Sequence, residues 1–192
     1  MPIESAGALV AWETVQSILG LDDDQEEFTT FLINAASAQA EQYAGRILAA
    51  RDVVLILDTT GGRSVMLKSY PIISITRICI DTGHVFPNDF DLSESEYGVL
   101  WDAGIIRLYN RRFPGAIDSF LFEGRIGYDP VPDDLQQAVI ECVSANLRRI
   151  GPNGGTIGIK SMTAQGAITT NYEIDVPVSI RNVFLSYRST RL

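Results

Sequence analysis

Histidine is almost missing from this chain: His84 is the only one in 192 residues. A lone imidazole with no cysteine or second histidine beside it cannot supply the nitrogen and sulfur ligands of a zinc site. No Gly-x-Ser-x-Gly segment offers it a nucleophile, so His84 reads as a surface turn residue. Cysteine is equally scarce. Cys79 lies in a strand-like pattern and Cys142 in a helix-like one, which suits two buried free thiols in a protein made in a reducing cytoplasm. No apolar run approaches the roughly 18 residues needed to cross a bilayer. The opening Met1-Pro-Ile-Glu-Ser has neither a basic segment nor a following apolar stretch, so neither a secretory signal nor a membrane partner is expected.

Bases are also in short supply, 15 Lys and Arg against 24 Asp and Glu, for a net charge of −9. The deficit is uneven: residues 1–50 carry eight acids and only Arg46 as a base, while residues 151–192 carry four bases and two acids. Tight nucleic-acid binding needs clustered Lys and Arg to neutralise phosphates. An acidic body excludes that role, yet it suits a wall past which a polyanion slides without sticking.

What is present is an ordinary globular composition, 46% hydrophobic and 20% charged, enough for a real core. Trp12, Val15, Ile18 and Leu19 predict a short helix from Ala11 to Leu19, stopped at Gly20. Asp22 to Asp24 offer an N-cap, and Glu26 and Glu27 suit the first turn of a long helix running to Ala44 and stopped at Gly45. Its expected apolar positions are Phe28, Phe31, Leu32, Ala35, Ala38 and Tyr43, with an alanine-rich middle that lets another helix approach closely.

From Arg51 to Tyr128 the period becomes two. Val53 to Leu57 is a continuous apolar run, expected to be a strand covered on both faces. Thr59-Thr-Gly-Gly62 predicts a turn, with a return strand beginning at Ser64 to Lys68. Tyr70-Pro71 marks an edge or a strand start. The phase change at Thr76-Arg77, between Ile73 and Ile75 on one side and Ile78 and Ile80 on the other, predicts a bulge. Residues 85–100 read as an acidic loop with a short strand. Ile106 and Leu108, then Phe120 to Tyr128, read as two strands of a longer hairpin joined through Arg111 to Gly115.

A second long helix is expected from Pro132 to Ile150. Leu135, Ala138, Val139, Cys142, Val143, Leu147 and Ile150 form its apolar stripe, with Asp133 and Asp134 at its start and Arg148 and Arg149 at its end. Gly151 to Gly155 break it. Beyond lie expected strands around Ile157–Ile159 and Tyr172–Ile174, and a last short helix from Val178 to Tyr187 after Pro177. The fold class is therefore α+β: a helical bundle, two long helices plus short ones, with an antiparallel β-sheet inserted at residues 51–128.

Three segments invite a chemical reading. Gly154-Gly-Thr-Ile-Gly-Ile-Lys-Ser161 is not a phosphate loop, since Ile159 separates glycine from lysine and the segment follows a helix. Asp22 to Asp24 lack the spacing and terminal Glu of a calcium loop. Asp89, Asp91, Glu94, Glu96 and Asp102 could form a carboxylate pair, but acid–base work requires burial to separate their pKa values. A solvated acidic face is favoured, and no metal, cofactor or catalytic residue is assigned. The tail, Ser179 to Leu192, interleaves Arg and aromatic residues with aliphatics, a composition typical of interface anchors.

Four pieces, in this order, carry a family resemblance: Ala40-Glu-Gln-Tyr-Ala-Gly-Arg46, Leu67-Lys-Ser-Tyr-Pro-Ile-Ile-Ser-Ile75, Gly124-Arg-Ile-Gly-Tyr-Asp-Pro-Val-Pro-Asp-Asp-Leu-Gln-Gln-Ala138, and the tail with Ile159-Lys-Ser161 and Leu185-Ser-Tyr-Arg188. The chain resembles the tailed-phage head–tail connector (adaptor) family of head completion proteins, whose relatives occur in prophages and gene transfer agents. Across Arg51 to Tyr128 it is long for the smaller connectors.

The resemblance implies a non-enzymatic virion subunit at the head–tail junction, assembled in the host cytoplasm. It implies a ring, usually dodecameric, docked beneath the portal protein. Such a ring extends the DNA channel without sequence-specific binding and receives a stopper or tail completion protein. It implies a connector body at residues 1–151 and a portal-docking segment at 152–192, with Phe184, Leu185, Tyr187, Arg188 and Arg191 as anchors. The alternatives are another virion component, such as a stopper or tail terminator, or a small-molecule or metal-dependent enzyme using the acidic loop at 89–102.

Overall fold

A computed structural model describes residues 7–150, 161–164, 168–171 and 176–189, with backbone alone for 161–164 and 168–171. The chain divides into a helical unit, drawn from the segments up to Gly45 and from Val131 onward, and a sheet unit beginning at Arg46 and ending its continuous stretch at Pro130. The α+β class holds, with the antiparallel strands inserted between the two long helices.

The helical unit holds α1 (Trp12–Leu19), α2 (Glu26–Ala44), α3 (Asp133–Ile150) and α4 (Val178–Ser186), together with a hairpin of β7 (Ser161–Ala164) and β8 (Ile168–Asn171). Gly20 and Gly45 end α1 and α2 at φ of 65° and 67°, left-handed conformations that glycine adopts without a Cβ penalty. Their N–H groups donate to the carbonyls of Gln16 and Glu41 at 2.9 and 2.8 Å. Ahead of α2, Asp22 and Gln25 close a capping box around a single 3₁₀ turn, with the Asp22 N–H donating to Gln25 Oε1 at 3.2 Å. The expected strands at 157–159 and 172–174 lie outside the described residues, as does the break at 151–155.

The buried stripe of α2 includes Leu32 as expected but otherwise differs from expectation. Thr29, Leu32, Ile33, Ala36, Ala40 and Ala44 face inward, while Phe28, Phe31, Ala35 and Ala38 are exposed. Both stripes have helical period, and the outer one holds both phenylalanines of the helix. Close approach decides between them, because the small side chains of Ala36 and Ala40 let α2 pack against α3 and α4. The alanine-rich middle does what was expected of it, through different alanines.

In the sheet unit, β1 (Arg51–Leu57), β6 (Phe120–Ile126) and β3 (Ile72–Ile80) form one antiparallel sheet in the order β1-β6-β3. A second sheet has the order β2-β5-β4, from β2 (Ser64–Met66), β5 (Ile105–Leu108) and β4 (Tyr97–Leu100). Two expected hairpins are therefore absent. β1 pairs with β6, from Arg51 opposite Ile126 to Leu57 opposite Phe120, and not with β2. β5 and β6 likewise belong to different sheets.

The long β1 ladder and the phenylalanines of β6 account for this pairing, since Phe120 and Phe122 are both fully buried. They share one core with Ile106 and Leu108 of the other sheet, and Phe113 meets Phe120 edge to face at 5.3 Å. β1 is not covered on both faces either. Val53, Leu55 and Leu57 pack on the core, but Val54 and Ile56 are 65% and 49% exposed. The register slips between Ile75 and Arg77, which places the expected bulge at Thr76. Pro71 immediately precedes β3, where a missing N–H costs no ladder bond.

Candidate docking surface

The C-terminal helix begins after Pro177, whose carbonyl accepts the Arg181 N–H at 3.0 Å. Its inward positions are Ile180 and Phe184, four apart and both buried against the helical unit. The Phe184 ring stacks on Tyr43 of α2 with centroids 6.2 Å apart. The Tyr187 hydroxyl donates to Asp134 Oδ1 at 2.5 Å, tying the end of α4 to the first turn of α3. Ser189 N–H then donates to the Ala44 carbonyl at 3.3 Å. Of the five expected anchors, Phe184 and Tyr187 are thus engaged within the subunit, Leu185 and Arg188 point outward, and Arg191 lies outside the described residues.

A groove of about 760 Å³ opens in the same unit between α1, α3 and α4. Ile18, Leu19, Ile140, Ala145 and Ile180 give it an apolar floor, and Asp133, Glu141 and Arg148 supply charge along α3. Sequence reasoning placed Ile18 and Leu19 on the α1 stripe and Asp133 and Arg148 at the two ends of α3, and it missed the groove. A stripe says which residues lie on one face, not where two neighbouring helices diverge and leave that face open.

In the sheet unit, three of the resemblance-bearing segments converge on Arg46. Its guanidinium is 6% exposed and lies 3.9 Å above the centre of the Tyr70 ring. It donates to the Tyr70 carbonyl, and through Nη2 to the Tyr128 hydroxyl at 3.0 Å. The adjoining backbone closes around it. The Ile47 N–H donates to Ser69 Oγ at 2.9 Å, Gly127 N–H to the Pro71 carbonyl at 2.9 Å, and Tyr128 N–H to the Leu48 carbonyl at 2.7 Å. Gly127 sits at φ 112°, and a Cβ there would lie 2.6 Å from the Ala49 carbonyl oxygen. Arg46 is therefore a structural clamp, and it ties together three segments that lie far apart in the sequence.

The acidic loop resolves into structural contacts. Arg77 Nε donates to both Asp91 carboxylate oxygens at 2.8 and 2.9 Å, and its Nη2 to the Phe86 carbonyl at 2.7 Å. Glu96 accepts the Ser93 N–H and hydroxyl at 2.9 and 3.0 Å and pairs with Arg111 at 3.1 Å. The Ser93 contacts, ahead of Arg111, hold its pKa below the usual carboxylate range. Asp81 accepts N–H groups from Gly83, Phe86 and Val85 at 2.7, 2.9 and 2.9 Å, and these lower its pKa in turn.

Both cysteines are buried and free. Burial, and then the Asp91 carboxylate, push the Cys79 thiol up to about 11, and burial raises Cys142 as well. His84 is exposed in its turn, with Nδ1 3.1 Å from the Asp118 carbonyl oxygen. Among the described residues no three His, Cys, Asp or Glu side chains gather as a metal site would require, and no helix is long and apolar enough to cross a membrane.

The model of the family described as head completion protein matches residues 8–190. Three solved structures share the fold at a TM-score of 0.62. In the neck of an empty GTA particle, computed with C6 symmetry, the matching chain is 16% identical, with 100% of this chain and 96% of that one covered. In the neck of a native GTA particle, computed with C12 symmetry, the figures are 17%, 98% and 94%. In the virion of a native gene transfer agent they are 16%, 100% and 96%. No curated protein matches the sequence.

Proposed function

This chain belongs to the head completion protein family, and on that premise we propose that it is the structural subunit of a connector ring at the head–tail junction. In this reading identical copies close a ring beneath the portal, twelve in number. They extend the DNA channel with acidic walls and receive a stopper or tail completion protein on the far side. The work is done by geometry and contact, not by turnover. The observation that carries the reading is a family match running almost end to end, residues 8–190. The fold likeness adds support, because chains of particle necks computed with sixfold and twelvefold symmetry share it over 94% or more of their length.

Portal contact is assigned to the 152–192 segment, with the rest of the chain as body. Leu185 and Arg188 are the outward anchors, Arg191 is an anchor on the sequence reading alone, and Phe184 and Tyr187 hold the helix that presents the first two. The family test is to mix the full chain with its cognate portal and image the product. A ring on the portal is expected, and its absence with both proteins folded refutes the reading. Deleting the segment is a poor test, because Ile180 and Phe184 belong to the helical core. Leu185→Asp with Arg188→Glu is the better one. These exposed changes should abolish portal binding with helicity unchanged, and retained binding would move the docking surface elsewhere.

A further inference from the structure

The outward stripe of α2 has no partner in the subunit. Phe28 and Phe31 are 38% and 65% exposed, and Ala35 and Ala38 continue the line on the same face. Spacings of three, four and three keep these side chains in one ridge about 15 Å long, at 1.5 Å per residue. A contiguous apolar ridge of this kind marks an interaction site.

The helical unit also carries the apolar-floored groove between α1, α3 and α4, and none of the four ridge residues lines it. The unit therefore owns two distinct apolar patches, one convex and one concave. A closed ring of identical subunits requires a contact of that kind, in which one patch meets a different patch on the next copy.

Charge fits the same pairing. The ridge helix α2 carries Glu26, Glu27 and Glu41 and no base, whereas α3 and α4 with the residue pair after them carry Arg148, Arg149, Arg181 and Arg188 against Asp133, Asp134 and Glu141. Arg148 rims the groove, while Glu27 stands one residue before Phe28 and four before Phe31.

We propose that the α2 ridge of one copy seats in the α1–α3–α4 groove of its neighbour, with Phe31 entering the groove and Glu27 facing Arg148. The partner is a second copy of this chain, and the inference rests on the ring reading above. A phenylalanine buries about 150–250 Å² in full, and the 38% and 65% of Phe28 and Phe31 still exposed are a small part of the about 800 Å² per partner in a standard interface. The seated ridge is accordingly the centre of the contact, with a polar rim around it.

The test uses the full chain, assembled alone at high concentration or on its portal. Phe31→Cys and Ser144→Cys are placed together and oxidised. A covalent ladder extending beyond dimers is expected, because each copy offers one partner of both pairs. The two single variants should give dimers when mixed and monomers when separate. The native thiols are buried and contribute no background. Glu27→Arg should raise the concentration for half-assembly about tenfold, as a like-charge contact costs on the order of a kcal/mol or more, and adding Arg148→Glu should restore it.

Rings that form without the ladder overturn the ridge-and-groove contact while leaving the ring reading intact. So does self-crosslinking of Phe31→Cys alone, or its capture on the portal. Wild-type protein that is folded yet makes no ring, alone or on the portal, overturns both.

Discussion

Replacing Phe184 by alanine should destabilise the helical unit more than any other single change in the C-terminal helix. The ring is fully buried, with Ile180 one turn away and Tyr43 stacked 6.2 Å off. Burial and the cavity left behind put a Phe→Ala change at about 3–5 kcal/mol, of which the stacked pair accounts for about 0.5–1.5 kcal/mol. A loss of about 3 kcal/mol lowers the folded-to-unfolded ratio more than a hundredfold, a large share of the 5–15 kcal/mol typical of whole domains. The two tryptophans allow a unit-specific assay, since Trp12 lies in α1 of the helical unit and Trp101 in the turn between β4 and β5 of the sheet unit. In a Trp101→Phe background, urea unfolding followed by Trp12 emission reads the helical unit alone. Phe184→Ala should move that transition to lower urea by the stated energy, while Leu185→Ala, at a position 38% exposed, should move it by less than about 0.5 kcal/mol. Equal and small shifts for both would refute the claim that α4 is part of this core.

Three further outcomes are expected. Arg46→Lys keeps the charge but not the planar fork, so it should cost about 2 kcal/mol in chemical denaturation of the sheet unit, with the bond to the Tyr70 carbonyl or to the Tyr128 hydroxyl lost; a neutral result would dismiss the clamp. Gly124→Ala puts a Cβ 2.3 Å from the Ser74 carbonyl oxygen in the centre of the β1-β6-β3 sheet, so it should destabilise by about 1–3 kcal/mol, and unchanged thermal unfolding would contradict that packing. The folded pKa of Asp81 lies below its ordinary value of 3.8, so its contribution is fully present above that value and is lost as pH falls through the depressed folded pKa; an NMR titration of its carboxyl should show the low midpoint, and Asp81→Asn should remove the acid-side dependence of the 81–86 turn.

Periodicity made α3 legible, because one apolar stripe competed with no other. It misled in α2, where two stripes of equal period exist and the one holding phenylalanine is the one left outside. A residue's hydrophobicity predicts that it will be covered by something, and in a subunit built for assembly that something need not be its own chain. β1 repeats the lesson: Val54 and Ile56 were read as covered and are exposed. Strand identities were legible from alternation, but pairing was not. Arg51 meets Ile126 across most of the sheet unit, and no local turn signal records a contact between residues so far apart. Arg46 stayed hidden for the same reason, since its partners Tyr70 and Tyr128 are adjacent only in the folded chain. The absence of a histidine or cysteine cluster, by contrast, was readable at once, because ligand sets are counted before they are placed.

The groove and the ridge share one origin. A helix pair closes tightly only where small residues meet, as at Ala36 and Ala40, which α2 turns inward beside Leu32 and Ile33. Phe28 and Phe31 are then directed outward by the same 100° step that buries those alanines. On the other side, α1 and α3 carry Ile18 and Ile140, too large for that close approach, and the divergence between them is the groove. A subunit with a tight inner seam and loose outer surfaces retains apolar area, such as Phe31 at 65% exposure, whose burial awaits a neighbour. Contact with that neighbour is then favoured by the term that dominates folding, at about 25 cal/mol for each Å² removed from water.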